Sequence, residues 1–139
     1  MTDTRLTPDD PREWLNRARS NLALARGGVE GVYLEDLCFD AQQAAEKALK
    51  GVLIHSRIRF PLVHDLAALV SLLETAGVTV PIDILQVARL TRYAVPARYP
   101  WVSESVTRDE YREALALAES GVRWAEAAIG NVAAGQQGA

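Results

Sequence analysis

The run Cys38-Phe39-Asp40-Ala41-Gln42-Gln43-Ala44-Ala45-Glu46-Lys47-Ala48-Leu49-Lys50 decides the architecture. Ala41, Ala44, Ala45 and Ala48 recur at three- and four-residue intervals, the period at which side chains share one face of an α-helix. An Ala-lined face lets a second helix approach closely. The other side carries Gln42, Gln43, Glu46, Lys47 and Lys50 and reads as open to solvent or ligand. Glu46 precedes Lys50 by four residues, the favourable order for a helix ion pair; an exposed pair of this kind contributes only about 0.2–0.5 kcal/mol.

Outward from that run, the helix is predicted over about Leu34 to Ser56, with Leu37, Val52 and Leu53 prolonging the apolar stripe and Phe39, Leu49 and Ile54 widening it. A helix this apolar needs more than one packing partner, so it belongs at a bundle centre or a subunit interface. Upstream, a first helix is expected from about Asp10 to Arg26. Asp9 or Asp10 suits its N-cap, Pro11 its first turn, and Gly27-Gly28 its left-handed end. Trp14, Ala18, Leu22 and Ala25 mark its inner face. Downstream, Arg57 to Val63 is a connector in which Pro61 blocks helix continuation. A third helix begins near His64-Asp65 and stops at Gly77, and Pro81 opens a fourth over roughly Ile82 to Tyr93. Thr107-Arg108-Asp109-Glu110 is a capping box that starts a fifth, running to about Ile129.

Five helices with short loops and no strand predict an all-α fold: an antiparallel up-and-down four-helix bundle with a short extra helix. Helices one, two, three and five are expected to form the bundle, with the fourth as the addition. The expected division is an arm over 1–9, the bundle over 10–130 and a tail over 131–139.

The 139 residues fit one domain with one core. No apolar run reaches the roughly 20 residues of a membrane span, and Met1-Thr2-Asp3-Thr4-Arg5 lacks a signal-peptide pattern. The single Cys38 cannot form an internal disulfide and reads as a buried, inert thiol. These features predict a cytoplasmic protein. The net charge of −3 gives no global field for nucleic acid, although a local basic cluster can still hold a phosphate. Lys47 and Lys50 are the only lysines beside thirteen arginines, and both fall on one helix.

One cysteine and two histidines nine residues apart offer no metal-ligand pattern, so no metal or cofactor is expected. No glycine-rich phosphate loop and no nucleophile elbow is present. Three places remain. The polar face from Gln42 to Lys50 is either a solvated helix side or a ligand surface. Arg59-Phe60-Pro61-Leu62-Val63-His64-Asp65 places His64 and Asp65 at a helix start. There the His64 imidazole can cap backbone N–H groups while Asp65 favours the positive dipole end; alternatively the helix start, with Arg59, can hold an anion and His64 can move protons near neutral pH. Tyr93-Ala94-Val95-Pro96-Ala97-Arg98-Tyr99-Pro100-Trp101 is either a rigid packed loop or a site with Arg98 on phosphate and Tyr99 or Trp101 stacked on a base.

These pieces occur in the order of one family. The chain resembles the HEPN domain (higher eukaryotes and prokaryotes nucleotide-binding) through Trp14 and Ala18, the run 38–50, His64-Asp65-Leu66 and Ala97-Arg98-Tyr99-Pro100. The resemblance spans about residues 10 to 130. It implies a helical bundle that pairs into a homodimer. It also implies partnership with a minimal nucleotidyltransferase, often as a toxin–antitoxin pair. Two functions follow from it. One is a subunit that binds nucleotide or RNA phosphate through Lys47, Lys50, His64, Asp65, Arg98 and Tyr99. The other is a metal-independent ribonuclease using an Arg-x4–6-His motif, here Arg59 or Arg57 with His64. The toxin branch modified by its partner has Tyr two residues after the His, where this chain has Leu66. A helical adaptor without ligand is the third alternative.

Overall fold

The computed structural model describes residues 5–94 and 105–130, and no strand occurs among them. Helix α1 spans Pro11–Ala25, α2 Leu34–His55, α3 Leu66–Thr75, α4 Ile82–Leu85 and α5 Arg108–Ala125. A 3-10 segment, Gln86–Tyr93, continues α4, and a π turn, Glu126–Gly130, continues α5.

The ends follow local chemistry. Asp10 caps α1 by accepting from the Arg12 N–H, with Pro11 in the first turn. The capping box of α5 closes in both directions between Thr107 and Glu110, at 3.1 and 2.9 Å. Gly27 (φ +80°) takes the left-handed conformation after α1. After α2 that role falls to Arg57 (φ +60°), which is not a glycine. The Arg57 N–H bonds the Ile54 carbonyl and the Ile58 N–H bonds the Leu53 carbonyl, the paired bonds of a Schellman cap.

Helix α2 is the centre, packing against α1, α3, α5, the 3-10 segment and the π turn. Ala41, Ala44, Ala45 and Ala48 are fully buried, in one core with the small residues Ala18 and Ala25 of α1 and Ala114, Ala118 and Ala125 of α5. Inter-helix contacts set the directions. Arg19 meets Glu126 and Tyr111 meets Ala25, so α1 and α5 are antiparallel. Ala45 lies by Gly121 and Gly51 by Ile129, so α2 and α5 run parallel. A second antiparallel neighbour of α5 is the segment from α4 to Tyr93, with Arg89 on Glu113 and Arg92 on Glu110.

The bundle is all-α and antiparallel, with one short extra helix, but the expected roles of the third and fourth helices are exchanged. The segment from Ile82 to Tyr93 is the fourth member, and α3 is the addition, packed on α2 and the 3-10 segment. This segment is also not one α-helix. Ile84, Val87, Leu90 and Tyr93 recur every three residues, the period at which 3-10 side chains line one edge. Val87 and Leu90 are completely buried. Helix five leaves α geometry at Ala125, four residues before the expected end. No described helix is long and apolar enough to cross a membrane.

Candidate functional site

The connector after α2 folds back along it. Ile58, Phe60 and Val63 pack on the core while Arg57, Arg59, Leu62, His64 and Asp65 stay exposed. This return path covers the α2 side chains expected to face water. Gln42, Glu46 and Lys50 stand four residues apart, are 0, 4 and 6 % exposed, and form a ladder beneath the connector.

Glu46 is the hub. Its Oε1 accepts from Gln42 Nε2 at 2.9 Å and lies 2.9 Å from His64 Nδ1, while its Oε2 accepts from Lys50 Nζ at 3.0 Å. Burial alone would raise the Glu46 pKa. The hydrogen bonds from Gln42, Lys50 and His64, and the charge of Lys50, outweigh it and hold the carboxyl below its ordinary value. An ionised carboxylate only accepts, so the His64 Nδ1 carries the proton and donates. The Gln42 amide also reaches the His64 carbonyl at 3.4 Å. The Lys50 ammonium sits 5.7 Å from the Phe60 ring centroid, and Trp14 meets that ring edge-on at 6.3 Å. One wall of the site is therefore tied to α1 through aromatic packing.

The result is a buried carboxylate orienting an imidazole that is itself 64 % exposed. With Nδ1 held, Nε2 is the nitrogen left for a ligand: a lone pair in the neutral ring, a donor in the charged one. Arg57 and Arg59 lie within seven residues of His64 on the same exposed connector, and among the described residues neither makes an ion pair.

Three expectations change. The Glu46–Lys50 pair is buried, not exposed, so its desolvation makes breaking it far more costly than a surface pair. His64 does not cap α3; Asp65 does, accepting from the Ala67 N–H at 3.0 Å. The polar face is not one open surface, because the connector closes the Gln42–Lys50 side. Lys47 stands on the other flank, half-buried, with Nζ 2.6 Å from Asn21 Oδ1 of α1. Burial, and then the charge of Arg17, lowers its pKa; Lys50 adds to this, while Glu46 and Asp40 oppose it. Arg98 and Tyr99 lie outside the described residues.

Glu46 and Gln42 lie on the polar face that the sequence offers as a ligand surface, but neither is among the residues it assigns to binding or catalysis. The available signal is their spacing with Lys50, a polar ladder within an otherwise apolar helix. A separate cleft of about 230 Å³ between the 3-10 segment and α5 holds Arg89 and Arg92, each paired with a glutamate on α5. Cys38 is fully buried, and burial pushes its thiol up to about 11. No group of three or more His, Cys, Asp or Glu suited to a metal occurs among the described residues.

The HEPN domain family model matches residues 11–128. Among solved structures, the chain is similar to TT1696 from Thermus thermophilus. Identity is 37 % and the TM-score 0.73, over 86 % of this chain and 98 % of that one. It is also similar to ST0689, an archaeal HEPN homologue, at 30 % identity and TM-score 0.66, over 86 % of this chain and 97 % of that one. No curated protein matches the chain. The bundle, the family match over nearly its whole length and these two neighbours agree: this chain belongs to the HEPN domain family.

Proposed function

We propose that this HEPN domain binds a nucleotide or RNA phosphate at the connector beside α2, and that it serves as the partner subunit of a nucleotidyltransferase in a toxin–antitoxin-like pair. One observation carries the binding reading: an exposed His64 fixed from behind by buried Glu46, with exposed Arg57 and Arg59 on the same connector. Arginine and histidine donors suit phosphate oxygens. Glu46, with Lys50 and Gln42 behind it, positions the ring and touches no ligand. Asp65 enters this reading through position, capping the first turn of α3 and so fixing the end of the connector that carries His64. Arg98 and Tyr99 supply the further phosphate and stacking contacts in this reading. The partner and a homodimer through helical faces rest on the family resemblance.

The test is titration of the purified protein with AMP and with RNA, beside His64→Ala of confirmed fold. Binding lost in the variant supports the reading, and equal binding by both sinks it. Co-expression with a minimal nucleotidyltransferase from the same organism, followed by co-purification, tests the partner. Light scattering at micromolar concentration tests the dimer.

A second reading is favoured by the Nδ1–Glu46 contact itself. A carboxylate-oriented imidazole with its other nitrogen outward is the arrangement used for general acid–base catalysis. Here His64 would take the 2′-hydroxyl proton and Arg59 would stabilise the charge on the phosphorane. Incubation with mixed RNA in EDTA decides it: cleavage lost in both His64→Ala and Arg59→Ala establishes a metal-independent ribonuclease. Intact RNA leaves the binding subunit.

A further inference from the structure

The two lysines of α2 are three residues apart and differ in one respect that the proposed site does not use. Lys50 is neutralised by a direct ion pair with Glu46 at 3.0 Å. Among the described residues Lys47 has no carboxylate partner, and its Nζ bonds only the neutral amide oxygen of Asn21 at 2.6 Å. An acid on that flank, Asp40, accepts from the Asn21 amide nitrogen at 3.2 Å, one group removed from the ammonium. Arg17 stands nearby on α1, about half exposed, with Nε on Glu13 at 2.9 Å. Glu46 and Asp40 act on Lys47 only through space, and a half-buried cation with no directly bound counter-ion gains from an anion that completes it. The positive neighbours that disfavour the Lys47 proton also favour an incoming anion.

Lys47 follows Glu46 directly, so on the helix wheel the two diverge by about 100°. Glu46 leads to His64 on the connector flank, and Lys47 leads to Asn21 and Arg17 on the α1 flank. Gln43 lies one turn before Lys47, partly exposed between the flanks. Two separate anion positions therefore bracket the outer face of one helix. A mononucleotide monophosphate can occupy one of them. A strand with consecutive phosphates can occupy both.

We infer that Lys47, with Arg17 and Asn21, forms a second phosphate subsite across α2 from the His64 connector, so that an RNA strand of the proposed function engages both positions where a free nucleotide engages one. This rests on the phosphate-binding reading of the His64 connector. Asn21 fixes the ammonium, and the free side of the Arg17 guanidinium offers the second donor set. The subsite reads phosphate and carries no base specificity of its own.

The experiment measures binding of a 2′-O-methyl RNA about ten nucleotides long, a typical site size for single strands, which cannot be cut through its 2′ position. AMP is measured beside it, both across a salt series. Wild type, Lys47→Met and Lys47→Arg are compared at matched thermal stability. The strand is expected to bind more tightly than AMP. Lys47→Met should reduce the slope of log K against log salt by about 0.7, the value for one phosphate contact on a single strand. Lys47→Arg should restore that slope, and the loss for AMP should be smaller than for the strand. An unchanged slope in Lys47→Met, or equal losses for AMP and strand, overturns the second subsite while the His64 site stands. If wild type binds neither ligand, the reading beneath the inference falls with it.

Discussion

The two flanks of α2 solve the same problem in opposite ways. On the connector flank, the polar residues of α2 are buried and partnered: Gln42 and Lys50, together with the exposed His64, converge on Glu46. On the α1 flank, Lys47 is half-buried and meets a neutral amide. The first arrangement makes a rigid base from which one imidazole projects. The second leaves a cation incompletely satisfied. Rigidity and residual affinity are thus separated on one helix, at adjacent residues about 100° apart around its axis.

The largest expected effect is on the connector flank. Glu46→Gln leaves the Lys50 ammonium buried without a counter-charge and should destabilise the fold by about 3–5 kcal/mol, measured by urea unfolding. Replacing the pair together, as Glu46→Leu with Lys50→Met, should recover much of that loss, because an apolar pair of similar volume has no charge to desolvate. A double variant as unstable as Glu46→Gln would break the contrast between the flanks.

Acidity sharpens it. The folded pKa of Glu46 lies below its ordinary value of 4.5. Its contribution is therefore fully present above that pH and is lost as pH falls through the lower folded value. Wild type should lose urea resistance through this acid range. Glu46→Gln should show a shallower acid loss, and an identical profile in both would remove Glu46 as the cause.

The α1 flank relies on close packing. A Cβ on Gly51 would stand 3.2 Å from Trp14 Cβ and 3.2 Å from Ile129 Cδ1. Gly51→Ala gains about 1 kcal/mol of helix propensity, but the overpacking should exceed it and leave a net loss of about 1 kcal/mol by thermal unfolding. A stabilised variant would show that the α1–α2 contact yields readily.

Asp65→Ala removes the α3 cap and should cost about 1 kcal/mol, with Asp65→Asn nearly neutral because it still caps. Lys47→Met should change stability least, by less than about 0.5 kcal/mol, since it removes no ion pair. A loss as large as that of Glu46→Gln would make the two flanks alike.

The fold was legible where local chemistry is decisive. The alanine spacing of α2, Pro11 behind Asp10, and Thr107 with Glu110 each have one favourable reading, and each is realised. The site was legible only in part. Helical spacing places Gln42, Glu46 and Lys50 on one stripe, but whether water or protein covers that stripe depends on where the connector returns. That path is set by Phe60 against Trp14 and Lys50, and Trp14 is far from Phe60 in sequence. The choice of cap was locally readable: aspartate is a far better N-cap than histidine, which leaves the His64 ring available for Glu46. The three-residue spacing of Ile84, Val87, Leu90 and Tyr93 likewise carried the 3-10 geometry that a generic helix reading passes over.

The π turn at Glu126–Gly130 acts as a phase adjuster. Its extra residue per turn rotates whatever follows relative to a straight α-helix, and it is in this turn that Ile129 comes to lie over Gly51. Deleting one residue there would swing Ile129 by about 100°, opening a gap where α1, α2 and the end of α5 converge. The bundle is thus closed at that corner by an angular correction, and the length of α5 is tuned to the single residue.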